Sequence, residues 1–236
     1  MKLRFRYLLA LVLASLFMQE VHELSHQAVC RLIGACEGKR YFLYWDTCDT
    51  GNGFYNAMIY LAGPFTNFLM LWLGYKMLAV QSASVQKSYG ATLVLAAIPL
   101  QRLQGIVFRG SDEIDAFKEM FGVGRPFKGA SLLAGSVLIL LIVLPALYRL
   151  YLRAKESKMV RELAICLIVP YLINFGLQKL AFHFGLPSQY QPLLPSVSDS
   201  FSRLLFVDLL LLIGLYIFAS SFKTFFFRGE VARKSR

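Results

Sequence analysis

Six stretches of this 236-residue chain are apolar over roughly 20 residues, the length at which a helix crosses the hydrocarbon of a bilayer. They cover residues 5–33, 55–78, 91–108, 131–151, 163–182 and 204–222. Inside a bilayer the backbone has no water to bond to, so each stretch must close its hydrogen bonds internally, as a helix does. The expectation is an all-α polytopic membrane protein with about six transmembrane helices. A composition 57% hydrophobic and only 17% charged excludes an ordinary soluble domain. The formal charge of +11 is spread between the apolar segments and over both termini, where membrane anchors sit. It argues for the lipid bilayer as a partner and against nucleic acid.

The same basic residues bear on orientation. With six spans both termini share a side, and that side holds the clusters at 149–161 and 223–236. The positive-inside rule places it in the cytoplasm of a multi-pass protein of the cell membrane. The start, residues 1–18, imitates a signal peptide, but Met18-Gln19-Glu20-Val21 offers no small-residue cleavage site and reads as part of an uncleaved helix. Cys30 and Cys166 lie in apolar segments and read as small buried hydrophobes. Cys36 and Cys48 share a loop that faces the exterior in this orientation, where they can pair.

Two segments carry groups that a lipid-facing helix does not tolerate. The first holds Gln19, Glu20, His22, Glu23 and His26, and ionisable groups at such a place mark functional sites. His22-Glu23-Leu24-Ser25-His26 is an HExxH, whose histidines fall one turn apart on one helix face and can converge on one metal ion. Glu23 stands beside them, placed to take a proton from a metal-bound water. The third segment is interrupted by Pro99, Gln101, Arg102, Gln104 and Gly105, the pattern of a broken helix lining a polar cavity.

A catalytic zinc takes three protein ligands and keeps one position open. The candidates for the third are His183, Asp112, Glu113, Asp115 and Asp208, and spacing alone does not choose between Asp112 and Asp208. His183, at the end of the fifth segment, reads better as an interfacial histidine. Glu20 either orients a ligand histidine or pairs with an arginine such as Arg102.

Two connections stand out. Residues 34–53 contain the strand-like run Arg40-Tyr41-Phe42-Leu43-Tyr44-Trp45, followed by the turn signal Asp49-Thr50-Gly51-Asn52-Gly53. A small β-hairpin at the membrane surface and a plain aromatic interfacial loop are the two readings. Residues 109–129 open with Gly110-Ser111-Asp112, where Ser111 or Asp112 suits a helix cap.

The HExxH in a first transmembrane helix resembles the site-2 protease family of intramembrane zinc metalloproteases. Ala62-Gly63-Pro64-Phe65-Thr66-Asn67 is similar to that family's AGPxxN motif, and Gly110-Ser111-Asp112 to the GSD form of its aspartate motif. The motifs occur in the family's order within residues 19–116, and the last three segments match no family pattern. Two positions depart from it: Glu113 stands where the family has glycine, and no asparagine precedes Pro99.

The resemblance implies Zn2+ held by His22, His26 and Asp112, with Glu23 as general base. Gly63 and Pro64 interrupt helical bonding and, with Asn67, become candidate substrate-binding residues; a plain interhelical hydrogen bond is the other reading of Asn67. Residues 1–122 would form the catalytic membrane core, and 123–236 three further helices with a basic tail. The function implied is hydrolysis of a peptide bond within or next to a transmembrane segment of a membrane-embedded protein or peptide. The alternative is a non-proteolytic binding or chaperone-like relative of the same fold. A metal transporter is disfavoured by the scarcity of polar residues in the fourth and sixth segments. The family's usual orientation is opposite to the one the basic residues favour.

Overall fold

The computed structural model describes residues 5–33, 39–41, 44–46, 49–79, 83–121, 125–183, 209, 211–217 and 219–224. Helices dominate: α1 (Phe5–Leu32), α2 (Gly53–Met77), α3 (Ser84–Ala96), α4 (Pro99–Val107), α5 (Asp112–Phe121), α6 (Arg125–Glu156) and α7 (Val160–His183). Among the described residues five helices are long and apolar enough to cross a membrane, α3 and α4 together forming one of them (Ser84–Val107). Of the expected sixth span, residues 209 and 211–217 are helical and a 3-10 helix covers Ala219–Thr224; residues 204–208, 210 and 218 lie outside the described residues. Cys36, Cys48 and Asp208 also lie outside them.

The Arg40–Trp45 run is not one strand. Strands β1 (Lys39–Tyr41) and β2 (Tyr44–Asp46) pair antiparallel, with Arg40 opposite Trp45. The Asp49–Gly53 stretch, with its turn residues, instead starts α2: Asn52 is the N-cap, its side chain accepting from the N–H groups of Phe54 and Tyr55.

Helix α1 is the axis of the bundle and packs on α2, α3 and α7, while α5 is wedged between α2 and α6. Small residues allow the close approaches. A Cβ on Gly74 of α2 would come within 2.7 Å of the Gly90 carbonyl of α3, and one on Gly135 of α6 within 2.8 Å of Ile114 of α5. In lipid, where apolar surface gives no net drive to associate, such contacts carry helix packing. Polar links add to it, as Asn174 of α7 donates to Ser15 of α1 at 2.8 Å.

Two backbone devices set the site. The first is the break at Ile98, which sits in the left-handed region at φ 47°. Pro99 has no N–H and disfavours helix at the residue before it, so α3 stops and α4 restarts with proline in its first turn. The second is the α4–α5 corner. Helix α4 ends in a Schellman motif, with Arg109 N–H on Ile106 O (3.3 Å) and Gly110 N–H on Gly105 O (3.0 Å). The left-handed residue there is Arg109, at φ 56°, not Gly110. Ser111 then caps α5, its hydroxyl accepting from Ile114 N–H at 3.4 Å. Stop and start are thus back to back, and Asp112 is the first residue of α5.

Candidate metal centre

The HExxH faces inward on α1, with His22 and His26 only 2% and 3% exposed. Their rings stand edge to face, centroids 4.7 Å apart. Asp112 arrives from α5, 90 residues away in sequence, and the three side chains converge. His22 Nε2 lies 3.0 Å from Asp112 Oδ2 and 3.1 Å from His26 Nε2, and His26 Nε2 lies 3.7 Å from the same oxygen.

Those edges test whether a metal fits. Zinc bonds of about 2.0–2.1 Å in a tetrahedron put ligand atoms about 3.3–3.4 Å apart, and the three edges bracket that value. Protons alone serve the cluster poorly, because one proton can bridge only two of the three atoms at a time. Charge points the same way, since Glu23, Asp112 and Glu113 crowd around a single buried guanidinium, Arg102. The donor set, two imidazoles and one carboxylate, suits a divalent transition metal with a fourth position open.

Helix α2 forms one wall with three residues on one face, Ile59, Gly63 and Asn67, at the four-residue spacing of a helix row. Ile59 O accepts from His26 Nδ1 at 2.6 Å. A Cβ on Gly63 would collide with His26 Nε2 and sit 2.6 Å from His22 Nε2, so only glycine leaves the ring nitrogens their room. Asn67 is 2% exposed, its Nδ2 3.4 Å from His22 Nδ1. Gly63 and Asn67 are therefore packed against the histidines, Pro64 is buried within α2, and none of the three lines the adjoining cavity. Helix α2 runs unbroken through Pro64.

The opposite wall borders a cavity of 360 Å³. His22, Glu23 and Asp112 line it on one side, and Gln101 and Gln104 of α4 with Gln178 of α7 on another. Gln101 donates to Gln178 Oε1 at 3.4 Å, and Tyr171 OH donates to Gln104 Oε1 at 2.8 Å, so α4 and α7 are tied by side chains. The sequence marked α4 by its interruptions. The α7 contribution was missed, although a Gln-Lys pair (Gln178-Lys179) late in an apolar helix was a visible signal.

Glu23, 7% exposed, accepts from Gln19 Nε2 one turn earlier. Arg102 goes to Asp112 (3.2 Å) and Glu113 (3.5 Å). Glu113, fully buried at the start of α5, thus meets the buried Arg102 of α4. Burial works against the Asp112 carboxylate, yet the hydrogen bonds with His22 and His26 hold its pKa well below the usual range. For Glu113, burial wins over Arg102 and raises the pKa. Asp115 pairs with Lys118 at 2.5 Å. His183 is exposed at the end of α7 and stands outside the cluster. Cys30 and Cys166 are both buried, as their apolar segments predict.

Compared with family models, with curated proteins and with solved structures, the chain matches none.

Proposed function

We propose that this chain is an intramembrane zinc metalloendopeptidase, cutting a peptide bond in or beside a membrane-embedded segment of a protein or peptide. The observation that carries the reading is the convergence of His22, His26 and Asp112 from α1 and α5 at the edge of a polar cavity that Glu23 also lines. A zinc ion held by those three residues would supply an acidified water and a Lewis acid for the scissile carbonyl.

This chain's own residues do the rest. Gln19 holds one oxygen of Glu23, leaving the other to take the proton of the attacking water and pass it to the leaving amine. Arg102, fixed against Asp112, keeps that carboxylate turned to the histidines. The amides of Gln101, Gln104 and Gln178 offer donors and acceptors to a peptide backbone that must leave its helix to expose a carbonyl.

The test separates binding from chemistry. Glu23→Gln should keep about one metal per chain and lose cleavage by roughly 10²–10⁴-fold, the worth of a positioned base. Asp112→Asn should lose the metal itself. A Glu23→Gln protein that cleaves at the wild-type rate, or an Asp112→Asn protein that holds zinc as tightly as wild type, overturns the assignment. An unaltered protein that holds zinc but cleaves no membrane-embedded substrate favours the alternative, a binding or chaperone-like relative.

A further inference from the structure

A ligand histidine has one nitrogen for the metal and another that must be spoken for. Which nitrogen carries the ring proton is decided by the partner of the second one. His26 is settled, because its Nδ1 lies 2.6 Å from the Ile59 carbonyl, which can only accept. The proton is therefore on Nδ1, and Nε2 presents its lone pair to the cluster.

His22 has the same need and a different neighbour. Its Nε2 faces Asp112 and His26, and its Nδ1 faces Asn67 Nδ2 at 3.4 Å. In that amide orientation Asn67 Oδ1 is buried with no hydrogen-bond partner. Nδ2 can only donate, which would push the ring proton of His22 onto Nε2 and remove it as a ligand. Half a turn of the amide exchanges the two atoms. The oxygen then accepts His22 Nδ1–H, the orphaned acceptor gains its partner, and Nε2 is bare. One rotation resolves both anomalies.

We propose that Asn67 is the positioning residue that sets the tautomer of His22, accepting its Nδ1 proton as the Ile59 carbonyl accepts that of His26. This rests on the metal-centre reading and deepens it. Both acceptors come from the Ile59–Gly63–Asn67 row of α2, so one helix face seats both rings and fixes both protons. It gives the Gly63-to-Asn67 spacing a physical reason that has nothing to do with substrate.

The experiment uses the full chain in detergent micelles, with zinc itself as probe. Asn67→Asp keeps an acceptor at this place, whereas Asn67→Ala and Asn67→Leu remove it. Zinc affinity should fall about 10–100-fold in the Ala and Leu variants, the range for loss of an outer partner, and stay within a few-fold of wild type in Asn67→Asp. Ring-nitrogen NMR of the zinc-loaded, histidine-labelled protein should show two Nδ1 protons protected from exchange in wild type and Asn67→Asp. One should be lost in Asn67→Ala. Unchanged zinc affinity in Asn67→Ala, or an Asn67→Asp protein as weak as Asn67→Ala, overturns the assignment. The two readings fail separately. If wild type binds no zinc, it is the metal centre that fails. If zinc binds equally with and without Asn67, only the tautomer role fails.

Discussion

The two walls of the site are built on opposite principles. The α1–α2 wall is tight: two buried rings lie against a glycine, each with a neighbour at its outer nitrogen, and no side chain has space to move. The α4–α7 wall is loose. It borders the cavity with long amide side chains joined by hydrogen bonds of 2.8 and 3.4 Å, which rotamer changes can remake. A metal centre demands the first kind of wall, because ligand atoms must hold their places to fractions of an ångström. A surface that admits and releases a chain segment demands the second. The break at Ile98 separates them, letting α4 leave the line of α3 and give Arg102 to the centre and its glutamines to the cavity.

If that division is right, substitutions on the two walls fail differently. The largest expected effect is at Gly63. Gly63→Ala places a methyl against both ring nitrogens, so helices α1 and α2 must part or the rings must turn. Zinc affinity should fall by more than the ~100-fold that marks loss of an outer partner, measured by competition with a chelator. Retained affinity would mean the α2 wall yields as easily as the other.

An intermediate effect is expected across the cavity. The double variant Gln101→Ala with Gln178→Ala removes one of the two side-chain ties between α4 and α7 and leaves the three candidate ligands in place. Metal content should be unchanged while KM for a membrane-embedded peptide rises several-fold. Loss of metal in this variant would erase the distinction between the walls. A related check varies the substrate: segments with glycine or proline near the cut should be cleaved faster than a leucine-only version, since they give up helix more cheaply.

The smallest effect is expected at Glu113. Burial raises the pKa of this carboxyl while Arg102 works against the rise, so Glu113→Gln, which keeps the shape of the side chain, is a mild change. Metal content and turnover should stay within a few-fold of wild type. A large loss would show that the Arg102–Glu113 contact acts as a full ion pair holding Asp112 in place.

What the sequence by itself determined is what local periodicity encodes. The apolar run lengths gave the five described spanning helices, with α1 and α2 bounded within about two residues, because a bilayer sets helix length. A four-residue spacing put His22 and His26 on one face of α1, since a helix repeats every 3.6 residues. Pro99 forecast the break before α4, because proline lacks the N–H that continues a helix. The Arg40–Trp45 run was read as extended and divides between two paired strands, whereas the Asp49–Gly53 turn signal starts α2 instead, because turn residues and helix caps use the same side chains. The third ligand was beyond local periodicity: spacing left Asp112 and Asp208 open, only the Gly110-Ser111-Asp112 resemblance pointed to Asp112, and it is the α4–α5 corner that brings Asp112 to His22. The places of Gly63 and Asn67 likewise depended on which face of α2 met α1, and the share of α7 in the cavity on where a helix some 150 residues from the histidines came to rest. Those are packing decisions, made by side chains that are strangers in sequence, and only the tertiary structure contains them.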